Sequence, residues 1–206
     1  MSSKRCLRLM DFHRIRQIVQ GEHTLMPSEW KGAVLFLCNE EHVFFIKRSP
    51  HMPTHGGQIA FVGGHKKESE VDPWIVAQRE FEEETGLNSN KVSFLGHLPV
   101  VMTARLQPIV PVMGKLLIST EEFMREVKSN GEWDDCLAYP WSELCIEENW
   151  EFAWRNGYAK FPVLFHAIRR GTYRPKSQEI QTHLLWGATA SMVWDFLRLY
   201  YGHGDS

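Results

Sequence analysis

The 206 residues carry a net charge of −2 and 43% apolar side chains, enough for one sizeable globular domain. That charge excludes a broad electrostatic nucleic-acid surface but leaves room for a small basic pocket. No apolar run reaches membrane-spanning length, MSSKRCLRLMDFHR lacks the core of a signal peptide, and the four cysteines form no CxxC pair. A cytoplasmic protein is expected, with neither nucleic acid nor membrane as partner.

Residues 1–30 read as an accessory N-terminal segment and 31–206 as the domain. In the segment, Asp11 can cap a short helix with Phe12, Ile15 and Val19 on one side, ending at Gly21. That helix is expected to pack on the domain or on a second copy of the chain. Gly32 to Cys38 and Val43 to Lys47 flank Asn39-Glu40-Glu41-His42 and read as a hairpin buried on both faces. Two prolines and two glycines make residues 49–57 a loop. His51, His55 and His65 gather near it; a zinc site would need them at close quarters, and hydrogen-bonded loop histidines are the simpler reading.

Asp72-Pro73 begins a helix, as cap and first residue, and Gly86 ends it. Val92 to Val101 and Pro108 to Ile118 read as strands, joined by a loop that carries Arg105. Glu121 to Val127 is a helix capped by Ser119 or Thr120 and closed by Asn130-Gly131. Trp133 to Tyr139 is a further strand, followed by a helical turn from Pro140 to Leu144. Phe161 to Ile168 is strand-like. The basic run Arg169 to Lys176 is either a solvated loop or a phosphate contact. His183 to Tyr201 is a terminal helix whose Leu185, Thr189, Val193, Phe196 and Tyr200 form a core stripe.

The chemistry-bearing stretch lies between Gly63 and Leu87. Glu80, Glu83 and Glu84 stand at i, i+3 and i+4, so their carboxylates share a helical face and repel each other. A solvated helix would gain more from alternating Glu and Lys, whereas a hard divalent cation resolves the repulsion through oxygen ligands. Arg79, one turn before Glu83, can hold a carboxylate by a bidentate pair. Trp74, Ala77 and Phe81 can pack the helix on a core. Gly63-Gly64 lies upstream, where a loop could bring backbone carbonyls near the ion.

Arg79, Glu80, Phe81, Glu83, Glu84, Gly86 and Leu87 resemble the Nudix box of the Nudix hydrolases at every fixed position of its closing pattern. The gap from Gly64 to Arg79 is one residue longer than the common box, a spacing shared by members resembling coenzyme A diphosphatases. Val71 stands where the box has an upstream Glu, with Glu70 beside it. The signature that precedes the box in coenzyme A diphosphatases is matched or nearly matched by Phe44, Phe45, Arg48, Ser49, Gly57, Phe61, Gly63 and Gly64. Ile46, Val62 and Pro53 depart from it, Pro53 standing where a second Arg belongs. AYPWSELC and LLWGATASMVWDFL are similar to later segments of such domains, the latter to an IWG-x-T-A helix.

The resemblance runs from about Lys31 to Tyr201 and implies an α/β Nudix fold, a mixed β-sheet in an α/β/α sandwich. It implies Mg²⁺ or Mn²⁺ held by Glu80, Glu84 and Glu83 with the Gly63 carbonyl, and Arg79 orienting a glutamate. Glu83 or a loop residue such as Glu179 would be the general base. Arg48, Gly57, Gly64 and Arg174 would contact substrate. The expected activity is hydrolysis of the diphosphate in coenzyme A or its derivatives. The alternatives are other nucleoside diphosphate derivatives, such as ADP-ribose or nucleotide sugars, and a non-catalytic binding module.

Overall fold

The computed structural model describes residues 9–20, 29–155, 159–164 and 184–202, with backbone alone for 152–155 and 159–164. Helix α1 (Phe12–Val19) is capped by Asp11, whose carboxylate accepts from the N–H groups of His13 and Arg14. It buries Ile15 and Val19 in the domain's own core. Strands β1 (Gly32–Cys38) and β2 (His42–Arg48) follow. Their alternate residues face opposite sides, as the period of two requires. Phe36, Cys38, Val43 and Phe45 join one cluster, and Ala33, Leu35, Leu37, Phe44 and Ile46 join the other.

The hairpin differs from the expectation. Its strands pair only beside the turn, at Cys38 and Val43, and then splay apart. Two short strands fill the wedge: β3 (Ile59–Ala60) pairs with β2, and β4 (Val62–His65) pairs with β1. Gly63 and Gly64 are therefore strand residues opposite Val34 and Ala33, not the loop that the sequence suggests. Glycines read as turn signals, but here they permit the close approach of neighbouring groups.

Helix α2 (Pro73–Thr85) has its expected boundaries: Asp72 accepts from the Trp74 N–H at 2.9 Å, and Gly86 is left-handed at φ 69°. The single strand expected over 92–101 is two, β5 (Val92–His97) and β6 (Val101–Met102), separated after a bulge at Gly96. Both pair with β7 (Pro108–Leu116), which runs parallel to β1 and makes the sheet mixed. Helix α3 (Thr120–Glu126) takes Ser119 as its cap but ends at an extended Val127, short of Asn130-Gly131. The next N–H, of Lys128, donates to the Thr85 carbonyl at 2.9 Å instead of continuing the helix.

Strand β8 (Trp133–Pro140) pairs with β2, and α4 (Trp141–Leu144) is the expected turn. Strands β9 (Trp150–Arg155) and β10 (Ala159–Leu164) form a separate two-stranded sheet. The first was not legible in the sequence; residues 165–168 of the run expected around the second lie outside the described residues. Helix α5 (Gly187–Tyr201) starts later than its stripe suggests. Leu185 is buried but precedes the helix, and Gly187 takes φ 66°.

Helices α1, α4 and α5 cover one face of the main sheet, α2 and α3 the other, giving an α/β/α sandwich. Phe81 and Phe123 anchor one side, Phe36 and Phe196 the other, each fully buried. Among the described residues no helix is long and apolar enough to cross a membrane.

Candidate functional site

Because α2 turns Val76, Ala77 and Phe81 toward the sheet, its carboxylates fall along a flank at graded depth. Glu84 is 2% exposed and the Glu80 side chain 14%, whereas Glu83 is half exposed. Glu84 accepts from the Gly63 N–H at 3.1 Å. Burial pushes its carboxyl up to about 8, against the pull of that hydrogen bond, and the charges of Glu80 and Glu132 add to the rise. Burial likewise raises Glu80, with Arg79 opposing.

The glycine pair makes this approach possible. A Cβ on Gly64 would overlap the Glu80 carboxylate, and one on Gly63, at φ 155°, would run into the Ala33 carbonyl and the Val34 backbone. Trp133 donates its indole N–H to the Glu84 carbonyl at 2.8 Å, tying the last turn of α2 to β8.

Arg79 is a clamp, but its bidentate partner is Glu70 and not Glu83. Its Nε and Nη2 donate to the two oxygens of Glu70 at 2.7 and 3.2 Å. Single bonds reach Glu80 at 2.6 Å, Glu83 at 3.0 Å and the His65 carbonyl at 3.1 Å. Glu70 wins because it is buried and fixed by the Lys67 N–H, whereas Glu83 reaches solvent and also faces Lys67. The arginine's hydrogen bonds hold Glu70 below the usual carboxylate range. Glu70 thus occupies the place of the upstream acid, while its neighbour Val71 is 82% exposed.

Glu80 and Glu84 open onto a cavity of about 440 Å³, whose lining includes Gly63, Gly64, Arg48, Glu132 and Trp186. Arg48 sits where a bulge shifts the pairing of β2 with β8. Its Nε is buried and has no hydrogen-bond partner among the described residues. Glu83 and Gly57 do not line this cavity; Gly57, at φ 74°, turns the loop back so that its N–H reaches the Arg48 carbonyl. Arg174 and Glu179 lie outside the described residues, as does the basic run around Arg174.

Sequence reasoning missed Glu132. It follows the Asn130-Gly131 turn, and its carbonyl accepts from the Ser49 N–H at 2.8 Å, which fixes it beside the cavity. The signal was an acid directly after a turn, hidden because that turn was taken as a helix stop. His55 meets Gln58 within the loop, and His65, the last residue of β4, meets the Lys31 carbonyl. Among the described residues no three His, Cys, Asp or Glu side chains converge on one point.

The donor set still fits a hard divalent cation. Two carboxylates lie side by side, Glu84 buried and with no ion pair among the described residues, Glu80 partly buried and sharing Arg79 with Glu70 and Glu83, in a cavity with room for further oxygens. Mg²⁺ uses one or two carboxylates and completes its shell with water and phosphate oxygens, so a preformed cage is not required.

The chain is similar in sequence to known proteins. Nudix hydrolase 22 (chloroplastic) of Arabidopsis thaliana is 27% identical over 172 residues, covering 79% of this chain and 53% of the relative. Nudix hydrolase 15 (mitochondrial) of the same plant is 25% identical over 170 residues, covering 79% and 56%. The chain thus spans little more than half the length of these relatives. A crystal structure of a MutT/nudix family protein from Enterococcus faecalis superposes with a TM-score of 0.45 at 13% identity, over 84% of this chain and 64% of that one. The profile of the NUDIX domain matches residues 30–136, a stretch that holds the glycine pair, the Arg79 clamp and all the carboxylates of the cavity. That match covers just over half of the sequence, and the chain belongs to the NUDIX domain family.

Proposed function

We propose that this protein hydrolyses the phosphoric anhydride of a nucleoside diphosphate linked to a second group, with a divalent cation at Glu80 and Glu84. The observation that carries this reading is the meeting, in one cavity, of the buried Glu84 and partly buried Glu80 carboxylates with a buried N–H of Arg48 that has no partner among the described residues. A bound Mg²⁺ or Mn²⁺ supplies charge neutralisation for the diphosphate and acidifies a water. Arg79 holds Glu80 in place while it pairs with Glu70. Arg48 offers a charge-assisted hydrogen bond to a phosphate oxygen. Glu132 lines the cavity and can take a proton from the attacking water, a role for which Glu83 is turned too far outward.

Within this class the substrate we favour is coenzyme A or a derivative, on the strength of the motif around Arg48 and Gly57 to Gly64. Arg48 then serves the phosphate that a second arginine at Pro53 would otherwise meet. The experiment is a turnover screen over coenzyme A, 3′-dephospho-coenzyme A, ADP-ribose, nucleotide sugars and dinucleoside polyphosphates, with Mg²⁺, Mn²⁺ or EDTA. Metal-dependent cleavage of coenzyme A to phosphopantetheine and adenosine 3′,5′-bisphosphate is expected. Full turnover in excess EDTA sinks the mechanism; cleavage of ADP-ribose with coenzyme A untouched sinks the narrower assignment.

A further inference from the structure

Trp186 is unlike the other tryptophans of this protein whose indole nitrogen is accounted for. Trp133, Trp141 and Trp150 are buried, and each donates its Nε1–H to a backbone carbonyl, of Glu84, Asn39 and Leu144 respectively. Trp186 is 41% exposed and, among the described residues, has no hydrogen bond or ring contact. It stands at the cap position of α5 without capping it, since an indole has no acceptor to offer the helix N–H groups. Neither core packing nor helix capping therefore accounts for the residue.

Its place does. Trp186 lines the same cavity as Arg48, Glu80 and Glu84, and the next residues, Gly187 and Ala188, are small. Gly187 turns at positive φ, and among the described residues nothing lies within 4 Å of the place where its Cβ would stand. The cavity thus joins a charged end, with carboxylates and a guanidinium N–H, to an aromatic surface, and among the described residues neither that N–H nor the ring has a partner.

We propose that Trp186 is the platform on which the planar nucleobase of the substrate stacks while the phosphates lie toward Arg48. The proposal rests on the reading above for the identity of the ligand. A base stacked on an aromatic side chain gains roughly 1–3 kcal/mol, which corresponds to about 5- to 160-fold in affinity. Stacking tolerates any base, so this contact selects for a nucleoside without choosing among nucleosides.

The test compares AMP with ribose 5-phosphate by calorimetric titration in the presence of Mg²⁺; neither contains an anhydride, so neither is consumed. The wild-type protein should prefer AMP by about tenfold. Trp186→Phe should keep most of that preference, and Trp186→Leu, which retains apolar bulk but not the flat ring, should lose it. Equal affinity of the two probes for the wild type, or an undiminished preference in Trp186→Leu, overturns the platform. If the preference holds and no anhydride is cleaved, the hydrolase reading fails alone. If anhydrides are cleaved without the preference, the platform fails alone.

Discussion

Glu84→Gln should stabilise the metal-free protein while disabling it. The wild-type carboxyl moves from 4.5 to about 8 on folding because it is only 2% exposed. Below pH 4.5 it is protonated in both states and costs nothing. As the pH rises toward about 8, the unfolded chain gives up its proton while the folded chain keeps it, and stability falls. At about 1.4 kcal/mol per pH unit the ceiling is about 5 kcal/mol, and relaxation of the site and entry of water bring it to roughly 2 kcal/mol. Glutamine keeps the shape and still accepts from the Gly63 N–H, but never ionises. Thermal melts in EDTA from pH 5 to 9 should show the wild type losing about 4–8 °C relative to Glu84→Gln across that range, at 2–4 °C per kcal/mol for a chain of this size. Adding Mg²⁺ should recover the loss in the wild type and leave the variant unmoved. Turnover of the variant should fall at least about a hundredfold. Parallel melting curves for the two proteins would refute the claim that Glu84 is desolvated.

Gly64→Ala should leave the melting temperature nearly unchanged yet depress turnover, because its Cβ meets the end of the Glu80 side chain, which can swing aside; unaltered turnover would count against Glu80 as a ligand. Gly63→Ala should cripple folding, since its Cβ meets backbone at a φ that favours glycine, and soluble yield reads this out. Arg79→Ala strands the buried Glu70 and should cost roughly 2–3 kcal/mol, or about 5–10 °C in melting temperature; no shift would mean that the clamp is ornamental. Arg48→Ala should raise KM for a diphosphate substrate by about tenfold or more, as expected for one charge-assisted hydrogen bond. An unchanged KM would exclude Arg48 from phosphate binding.

Local signals were legible wherever one short stretch carries the whole cause. Asp72, Pro73 and Gly86 delimit α2 because caps act within a turn of themselves. The facing pattern of Phe36 and Leu35 betrayed a strand covered on both sides. What stayed hidden depends on contacts distant in sequence. Nothing near Glu70 announces that it, and not Glu83, will grip Arg79, since depth decides the matter and depth belongs to the assembled fold. Glu132 reaches the cavity only because Ser49 and the end of α2 meet its loop. Trp186 fell inside the helix expected from His183, and only the assembled fold sets it before the helix, on the cavity.

The splayed hairpin makes the site a property of the assembled sheet. Gly63 and Gly64 reach Glu84 and Glu80 only from β4, which lies in the wedge between β1 and β2. A half-assembled sheet has no wedge to seat them, so a partly folded chain presents its acids as separate solvated groups. Anything gripped by the finished cavity then recognises the native state alone, and it raises global stability in step with its concentration relative to its Kd.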